Sequence, residues 1–364
     1  MKMIKTQQNN VRWTLLVLLL VGSVLLSACS GGNSRIAASS WPGVTVDGET
    51  IYVSSGQFVR ALKLENGNQI WQYPAEADKL LSFYAPPVVM DGVVVAGDYQ
   101  NAVHGLNATT GSQTWTFTGS EKRFIASGLM VNDQILMPSA GGKLYAINSE
   151  GKADWTVDLS SEAIWAQPVY DGETVYVASM DHFLYALEIS EAGARQKWSL
   201  DVGGAMVASP ALDEDGNLYM GTMTQDLVAV SSSGRELWRY DAQGAIWGTP
   251  VVHDELVMFG DLSGTIYALS TGSGTVEWTI AVDGPVIGSG ALLADGAAFA
   301  IEEVGVQAVS FSGVKNWSHP VDGEIQAGLV QAGDFVLVAV TNGDKLLIAL
   351  DPANGNERWS VSAQ

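Results

Sequence analysis

The sequence predicts an all-β fold, an eight-bladed β-propeller whose blades are four-stranded antiparallel sheets. Tryptophan recurs eight times at intervals of 39 to 44 residues. Between consecutive tryptophans lie similar short apolar runs, separated by turns that contain glycine. A period of about 40 residues with four strands in each unit is the pattern of a propeller. The eight tryptophans are Trp71, Trp115, Trp155, Trp198, Trp238, Trp278, Trp317 and Trp359.

Each repeat contains the signals of four strands joined by hairpins. Three runs rich in Val, Ile, Tyr and Leu are separated by Asp-Gly or other glycine turns, as in the segment AQPVYDGETVYVAS that starts at Ala166. A fourth run starts at the tryptophan, as in ALSTGSGTVEW from Ala268. Alternating apolar residues with such turns predict antiparallel strands. Each blade is therefore expected to be built from contiguous sequence.

The eight tryptophans are expected to be structural. A single blade cannot bury both of its faces, whereas blades packed around an axis form a continuous core. Each large ring can fill the space between neighbouring blades, opposite the small Ala or Gly of its repeat. We interpret these residues as core packing and not as ligands for a bound molecule.

The N-terminus has the pattern of an export signal. Lys2, Lys5 and Arg12 precede an apolar run at residues 13–26, which is shorter than the roughly 20 residues of a spanning helix. The run ends in Leu-Ser-Ala-Cys, which resembles a bacterial lipobox, and Cys29 is the only cysteine in the chain. In such signals the cysteine thiol takes a diacylglyceryl group. We therefore predict lipidation at Cys29.

These observations divide the chain into three segments. Residues 1–28 are expected to be a lipoprotein signal peptide, residues 29–40 a lipidated linker, and residues 41–364 the propeller. The expected location is outside the cytoplasm, anchored by lipid to a bacterial membrane and facing the periplasm or the cell exterior. The identity of that membrane stays open.

Composition excludes several kinds of partner and cofactor. A single cysteine excludes a disulfide framework, cysteine-ligated zinc, an iron–sulfur cluster and a CxxCH haem site. The first 28 residues carry three of the 18 basic residues and none of the 39 acidic ones, so the remainder has a formal net charge of −24. Such a surface repels nucleic acid and anionic lipid headgroups. We expect no nucleic-acid partner, no metal and no cofactor.

The repeat resembles a known family. The elements P-x-V-x-D-G-x-V-Y-V, L-Y-A-L and T-G-x-x-x-W are similar to the pyrroloquinoline-quinone-type propeller repeat over residues 41–362. That family includes the quinoprotein dehydrogenases and the BamB lipoproteins of outer-membrane protein assembly. The second resemblance implies a lipid-anchored propeller without catalytic residues, which holds protein partners in the cell envelope. The Leu- and Arg-containing loop implicated in partner docking in BamB proteins has no convincing counterpart here.

The first resemblance implies an enzyme, for which the sequence offers little support. Quinoprotein dehydrogenases hold their quinone beside a calcium site and often carry a vicinal Cys-Cys disulfide, and this chain has no cysteine pair. The acidic segment 213–217 falls in a hairpin turn and lacks the ligand spacing of a calcium loop. The four histidines are scattered over four blades without metal-ligand spacing.

A binding surface is predicted at the mouth of the central channel. The residues just before the small residue of each first strand are expected to lie there, and three of them are aromatic: Tyr84, Trp165 and Trp247. In the first blade the aromatic Trp41 occupies the neighbouring position. Aromatic rings at such a place anchor a peptide, a glycan or a protein, or simply plug the channel. We therefore expect a monomeric, lipid-anchored scaffold with a protein partner in the cell envelope. The alternatives are a quinoprotein-type dehydrogenase relative and an extracellular ligand- or glycan-binding sensor.

Overall fold

Thirty-two β-strands build the part of the chain that the computed structural model describes, residues 43–363. They form eight four-stranded antiparallel sheets, and every sheet contains four strands that are consecutive in sequence. The predicted eight-bladed propeller with contiguous blades is confirmed. No helix within residues 43–363 has the length and apolar character needed to cross a membrane. Cys29 and Trp41 lie outside the described residues.

The strands are numbered in chain order, four to a blade. Blades 1 to 4 contain β1 Gly43–Asp47, β2 Thr50–Ser55, β3 Phe58–Lys63, β4 Gln69–Tyr73, β5 Val88–Met90, β6 Val93–Gly97, β7 Val103–Asn107, β8 Gln113–Phe117, β9 Leu129–Val131, β10 Gln134–Pro138, β11 Lys143–Ile147, β12 Ala153–Asp158, β13 Val169–Tyr170, β14 Val175–Ala178, β15 Phe183–Ser190 and β16 Gly193–Asp201. Blades 5 to 8 contain β17 Ala211–Leu212, β18 Leu218–Gly221, β19 Asp226–Val230, β20 Glu236–Asp241, β21 Val251–His253, β22 Leu256–Gly260, β23 Thr265–Ser270, β24 Val276–Ala281, β25 Val286–Leu293, β26 Gly296–Ile301, β27 Gly305–Ser310, β28 Lys315–Pro320, β29 Val330–Ala332, β30 Phe335–Ala339, β31 Lys345–Leu350 and β32 Glu357–Ser362.

The hydrophobic core is divided among the junctions between blades. In the described chain the buried apolar residues fall into eight clusters, and each cluster joins two neighbouring blades. The ring closes by the same means, because Ile51 and Leu62 of blade 1 share a cluster with Leu337 and Leu347 of blade 8. The two middle strands of each blade are buried on both faces, which explains their continuous apolar runs.

Each repeat tryptophan lies on the outer strand of its blade, opposite a small residue. In the strand register Trp71 pairs with Ala61, Trp115 with Gly105, and the other six with alanine. A Cβ atom on Gly105 would lie 2.1 Å from the Trp115 ring, so a larger residue does not fit there. Each ring then reaches into the core cluster shared with the next blade.

Seven of the rings also pack on a turn glycine of the following blade. Gly111 has a φ of +70°, and a Cβ there would lie 2.6 Å from the Trp71 ring. Gly67 of blade 1 receives Trp359 of blade 8 in the same way. Five indole N–H groups donate to a carbonyl of that turn, as Trp71 Nε1 does to Ala108 O at 2.7 Å. The glycine is required because the turn has a left-handed backbone and leaves no room for a side chain.

Trp155 is the exception among the eight. The hairpin of the next blade is longer, because β15 and β16 extend to Ser190 and Gly193. A Cβ on Gly193 would meet no atom within 4 Å, so this glycine does not receive the ring. Trp155 packs instead in the cluster that includes Ile189 of the long hairpin, and its Nε1 donates to Gln134 Oε1 of its own blade at 3.2 Å.

Candidate binding site at the channel mouth

Residues from all eight blades converge on one cavity of about 220 Å³ at the mouth of the central channel. Tyr84, Trp165 and Trp247 lie in its wall, and all three side chains are half-buried. They come from blades 2, 4 and 6, and Gln326 takes the equivalent position in blade 8. Ile125 and Val207 of the intervening blades complete a mainly apolar wall.

The local sequence fixes these rings at the mouth. Each precedes a small residue that is buried against the neighbouring inner strand: Ala85 is 5% exposed and Ala166 is 1% exposed. A proline follows one or two residues later, where a missing amide donor is tolerated at the start of a strand. The large side chain just before the small residue is therefore left at the channel entrance.

The channel wall contains places where neighbouring backbones nearly touch. A Cβ on Gly248 would lie 1.8 Å from the carbonyl oxygen of Gly288 in the next blade. A Cβ on Gly43 would lie 2.1 Å from the nitrogen of Pro86. Across the same wall Ser127 Oγ donates to Pro86 O at 2.8 Å. At Gly43 and Gly248 the backbone of the next blade leaves no room for a Cβ atom.

The three rings do not have equal surroundings. Tyr84 packs on Tyr99, with ring centroids 4.7 Å apart, and the guanidinium of Arg123 lies 4.1 Å from the Tyr99 centroid. Burial raises the pKa of the Tyr84 hydroxyl above its ordinary value. The sequence prediction did not include Tyr99 or Arg123, because the loops that carry them have no repeat signal.

A second pocket adjoins the mouth. It has a volume of about 240 Å³ and shares Trp247 and Gln326 with the central cavity. Its other lining residues are Leu262, Ile287 and Glu302. Leu262 and Glu302 were not predicted either, since each follows the second strand of its blade and not the first.

Within residues 43–363 no three His, Cys, Asp or Glu side chains are grouped so that they could hold a metal ion. The acidic segment 213–217 forms a turn that is stabilised by hydrogen bonds to the side chain of its own first residue. Asp213 Oδ1 accepts from the backbone N–H of Asp215 and Asn217 at 3.0 and 2.7 Å, and Asp213 Oδ2 accepts from the Tyr219 hydroxyl at 2.8 Å. These bonds use both carboxylate oxygens to stabilise the turn.

The best-placed histidine for acid–base chemistry is also used structurally. His104 Nε2 lies 2.8 Å from Asp98 Oδ2, and both side chains are buried. Asp98 Oδ1 accepts from two backbone N–H groups of its loop. In blade 6 the pair Tyr267 and Asp261 has the same arrangement, with a distance of 2.8 Å. Burial and the Asp261 carboxylate raise the pKa of Tyr267 to about 12, so its hydroxyl remains a donor. Both pairs stabilise loops.

Fold and repeat together define a propeller of the pyrroloquinoline-quinone repeat type. A sequence model described as "Outer membrane protein assembly factor BamB" matches residues 27–207 and 189–311. The chain belongs to this family, a family of outer-membrane protein assembly factors. This confirms the resemblance seen in the sequence.

Individual BamB proteins match this chain at modest sequence identity. The outer membrane protein assembly factor BamB of Burkholderia pseudomallei is 23% identical over 57% of this chain and 45% of its own length. The BamB protein of Yersinia pestis is 24% identical over 72% of this chain and 70% of its own length. The BamB protein of Salmonella typhimurium is 25% identical over 48% of this chain and 48% of its own length, so this chain aligns with about half the length of that relative and of the Burkholderia one.

The crystal structure of BamB from Moraxella catarrhalis shares the fold. It superposes with a TM-score of 0.68 at 17% identity, over 82% of this chain and 91% of that one. The repeat also occurs in an enzyme, since a tetrathionate hydrolase of Acidithiobacillus ferrooxidans is 24% identical over 44% of this chain and 37% of its own length.

Proposed function

We propose that the protein is a lipid-anchored scaffold of the bacterial cell envelope, an accessory factor in outer-membrane protein assembly that acts by binding and not by catalysis. Family membership supports the assembly role. The expected anchor is the lipidated Cys29, with the propeller facing the periplasm or the cell exterior. The expected partner is another envelope protein, which the monomeric propeller binds without a cofactor.

The observation that carries this proposal is the apolar rim. Tyr84, Trp165 and Trp247 surround one cavity with their rings half-buried. Rigid aromatic side chains anchor protein partners well, because they bury a large area and lose little rotamer entropy. The strong net negative charge of the protein discourages non-specific contacts elsewhere on the surface.

Changing Trp165 and Trp247 together to serine should weaken capture of the partner while the fold stays intact. Each well-placed aromatic anchor contributes ~2 kcal/mol or more, so the loss of both, ~4 kcal/mol, should weaken binding by roughly 700-fold. The measurement is affinity capture from detergent extracts of the host, followed by titration with the purified partner. Far-UV and near-UV spectra check the fold.

The matched control changes Val276 and Val314 together to serine. Both are exposed apolar side chains, 43% and 59% accessible, and neither lines the mouth. Capture should be unchanged in this control. If the folded rim variant captures the partner as well as the wild type does, the rings only plug the channel and the proposed binding site is wrong.

Cys29→Ala should move the protein from the membrane fraction to the soluble fraction or leave it with its leader uncleaved. The thiol is the group that a lipid anchor would modify, and no other cysteine can replace it. Fractionation with an immunoblot measures the result, and Ser30→Ala is the control one residue away. A variant that stays in the membrane fraction with unchanged mobility would contradict lipid anchoring.

A further inference from the structure

One side of the ring lacks positive charge. Between Arg239 and Lys315 the chain contains no lysine or arginine but nine aspartates and glutamates. This stretch forms blade 6 and the first three strands of blade 7. A cation approaching this side of the propeller is therefore attracted by carboxylates that no lysine or arginine of the stretch neutralises.

The second pocket at the mouth lies on this side. Its wall combines the indole of Trp247, the apolar side chains of Leu262 and Ile287, and the carboxylate of Glu302. At about 240 Å³ it is large enough for one long side chain and too small for a folded element. It adjoins the central cavity through Trp247 and Gln326, so a partner held at the rim would reach it.

A second carboxylate lies beside the pocket. Glu324 Oε2 accepts from Gln326 Nε2 at 2.7 Å. This bond uses one of the two N–H donors of the Gln326 amide, whereas its Oε1 is buried and has no hydrogen-bond partner in the described part of the chain. Two carboxylates and an amide oxygen therefore lie in or beside the pocket as hydrogen-bond acceptors, and the two carboxylates give it negative charge.

We propose that this pocket binds the side chain of a lysine or arginine from the protein partner. The methylene stem would pack on Leu262 and Ile287, as such stems do on apolar surfaces. The charged head would lie against the face of Trp247 and beside the carboxylate of Glu302, which combines a cation–π contact with an ion pair. An anionic ligand is disfavoured by the same groups. This inference rests on the proposed function and specifies the residue type that the rim recognises.

The test compares two acetylated, amidated pentapeptides that have leucines around a central residue. The central residue is lysine in one peptide and norleucine in the other, so the pair differs in the charged amine. We expect the lysine peptide to bind the wild-type protein ~10-fold more tightly, as measured by calorimetry and by the shift of the Trp247 indole N–H signal. Glu302→Gln should reduce the preference to less than ~3-fold, and 0.5 M salt should reduce it partly.

The control is Glu277→Gln, which removes the same charge from an exposed position on β24, outside the pocket. It should keep the preference for lysine. Equal binding of the two peptides to the wild type would overturn the proposal, and so would a preference that Glu302→Gln leaves unchanged. Failure here is distinguishable from failure of the rim site. If the Trp165 and Trp247 double variant no longer captures the partner while the two peptides bind the wild type equally, the rim binds the partner. In that case this pocket does not select a basic side chain.

Discussion

Replacing Trp71 by alanine should lower the free energy of unfolding by about 3–5 kcal/mol, as for a large buried aromatic side chain. Trp71 is 7% exposed, the ring packs on Gly111, and its Nε1 donates to Ala108 O at 2.7 Å. The substitution would leave a void between blades 1 and 2 and an unpaired carbonyl. Urea unfolding followed by far-UV circular dichroism and by fluorescence measures the loss.

The control for this prediction is Trp165→Ala, the same change at the channel mouth. Trp165 is half-buried and lines an open cavity, so its removal leaves no closed void. We expect a loss of less than about 1.5 kcal/mol. Equal losses in the two variants would show that the tryptophans at the junctions and those at the mouth do not differ in their contribution to folding.

Gly248→Ala should lower the free energy of unfolding by about 3 kcal/mol or more, the upper part of the range for overpacking. The new Cβ would lie 1.8 Å from Gly288 O, and this neighbour is backbone that cannot rotate away. Relief therefore requires blades 6 and 7 to separate along the channel wall. The expected result is a large fall in the midpoint of thermal and urea unfolding.

Gly272→Ala provides the matched control, since it adds the same methyl group in the same blade. A Cβ at Gly272 would have its nearest neighbour at 4.0 Å, and this residue is not in the left-handed region. Its stability should stay within about 0.5 kcal/mol of the wild type. If Gly248→Ala is as mild as Gly272→Ala, the inner strands are free to move apart and the channel wall is not rigid.

The repeat made the blades predictable because it has two independent signals. Tryptophan spacing gave the number of blades, and the alternating runs with glycine turns gave the four strands of each. The small residue opposite each ring was also visible, as in Ala61 opposite Trp71 and Gly105 opposite Trp115. The contact between a ring and the turn glycine of the next blade was not predicted, because it joins residues of two different repeats.

The candidate site was predictable only in part. The position before each small residue pointed to Tyr84, Trp165 and Trp247, and the structure places all three in one cavity. Leu262 and Glu302 occupy the same position of the repeat, just after the second strand, but the residue type at this position varies from blade to blade, so the sequence does not mark it as part of a site. Their proximity to Trp247 arises from the curvature of the ring, which a linear pattern does not contain.

The way the ring closes has a consequence for the number of blades. Seven junctions join blades that are also linked by the chain, whereas the junction of blade 8 with blade 1 depends on side chains such as Trp359, Leu347 and Ile51. Among the strands of residues 43–363, none is exchanged across it. Small deviations in the angle between neighbouring blades accumulate around the ring. Their sum must be accommodated at the junction of blade 8 with blade 1. In a ring of seven or nine such blades, Trp359 would not meet Gly67 at the distance seen here. This one contact between the last and the first blade therefore favours closure with eight repeats.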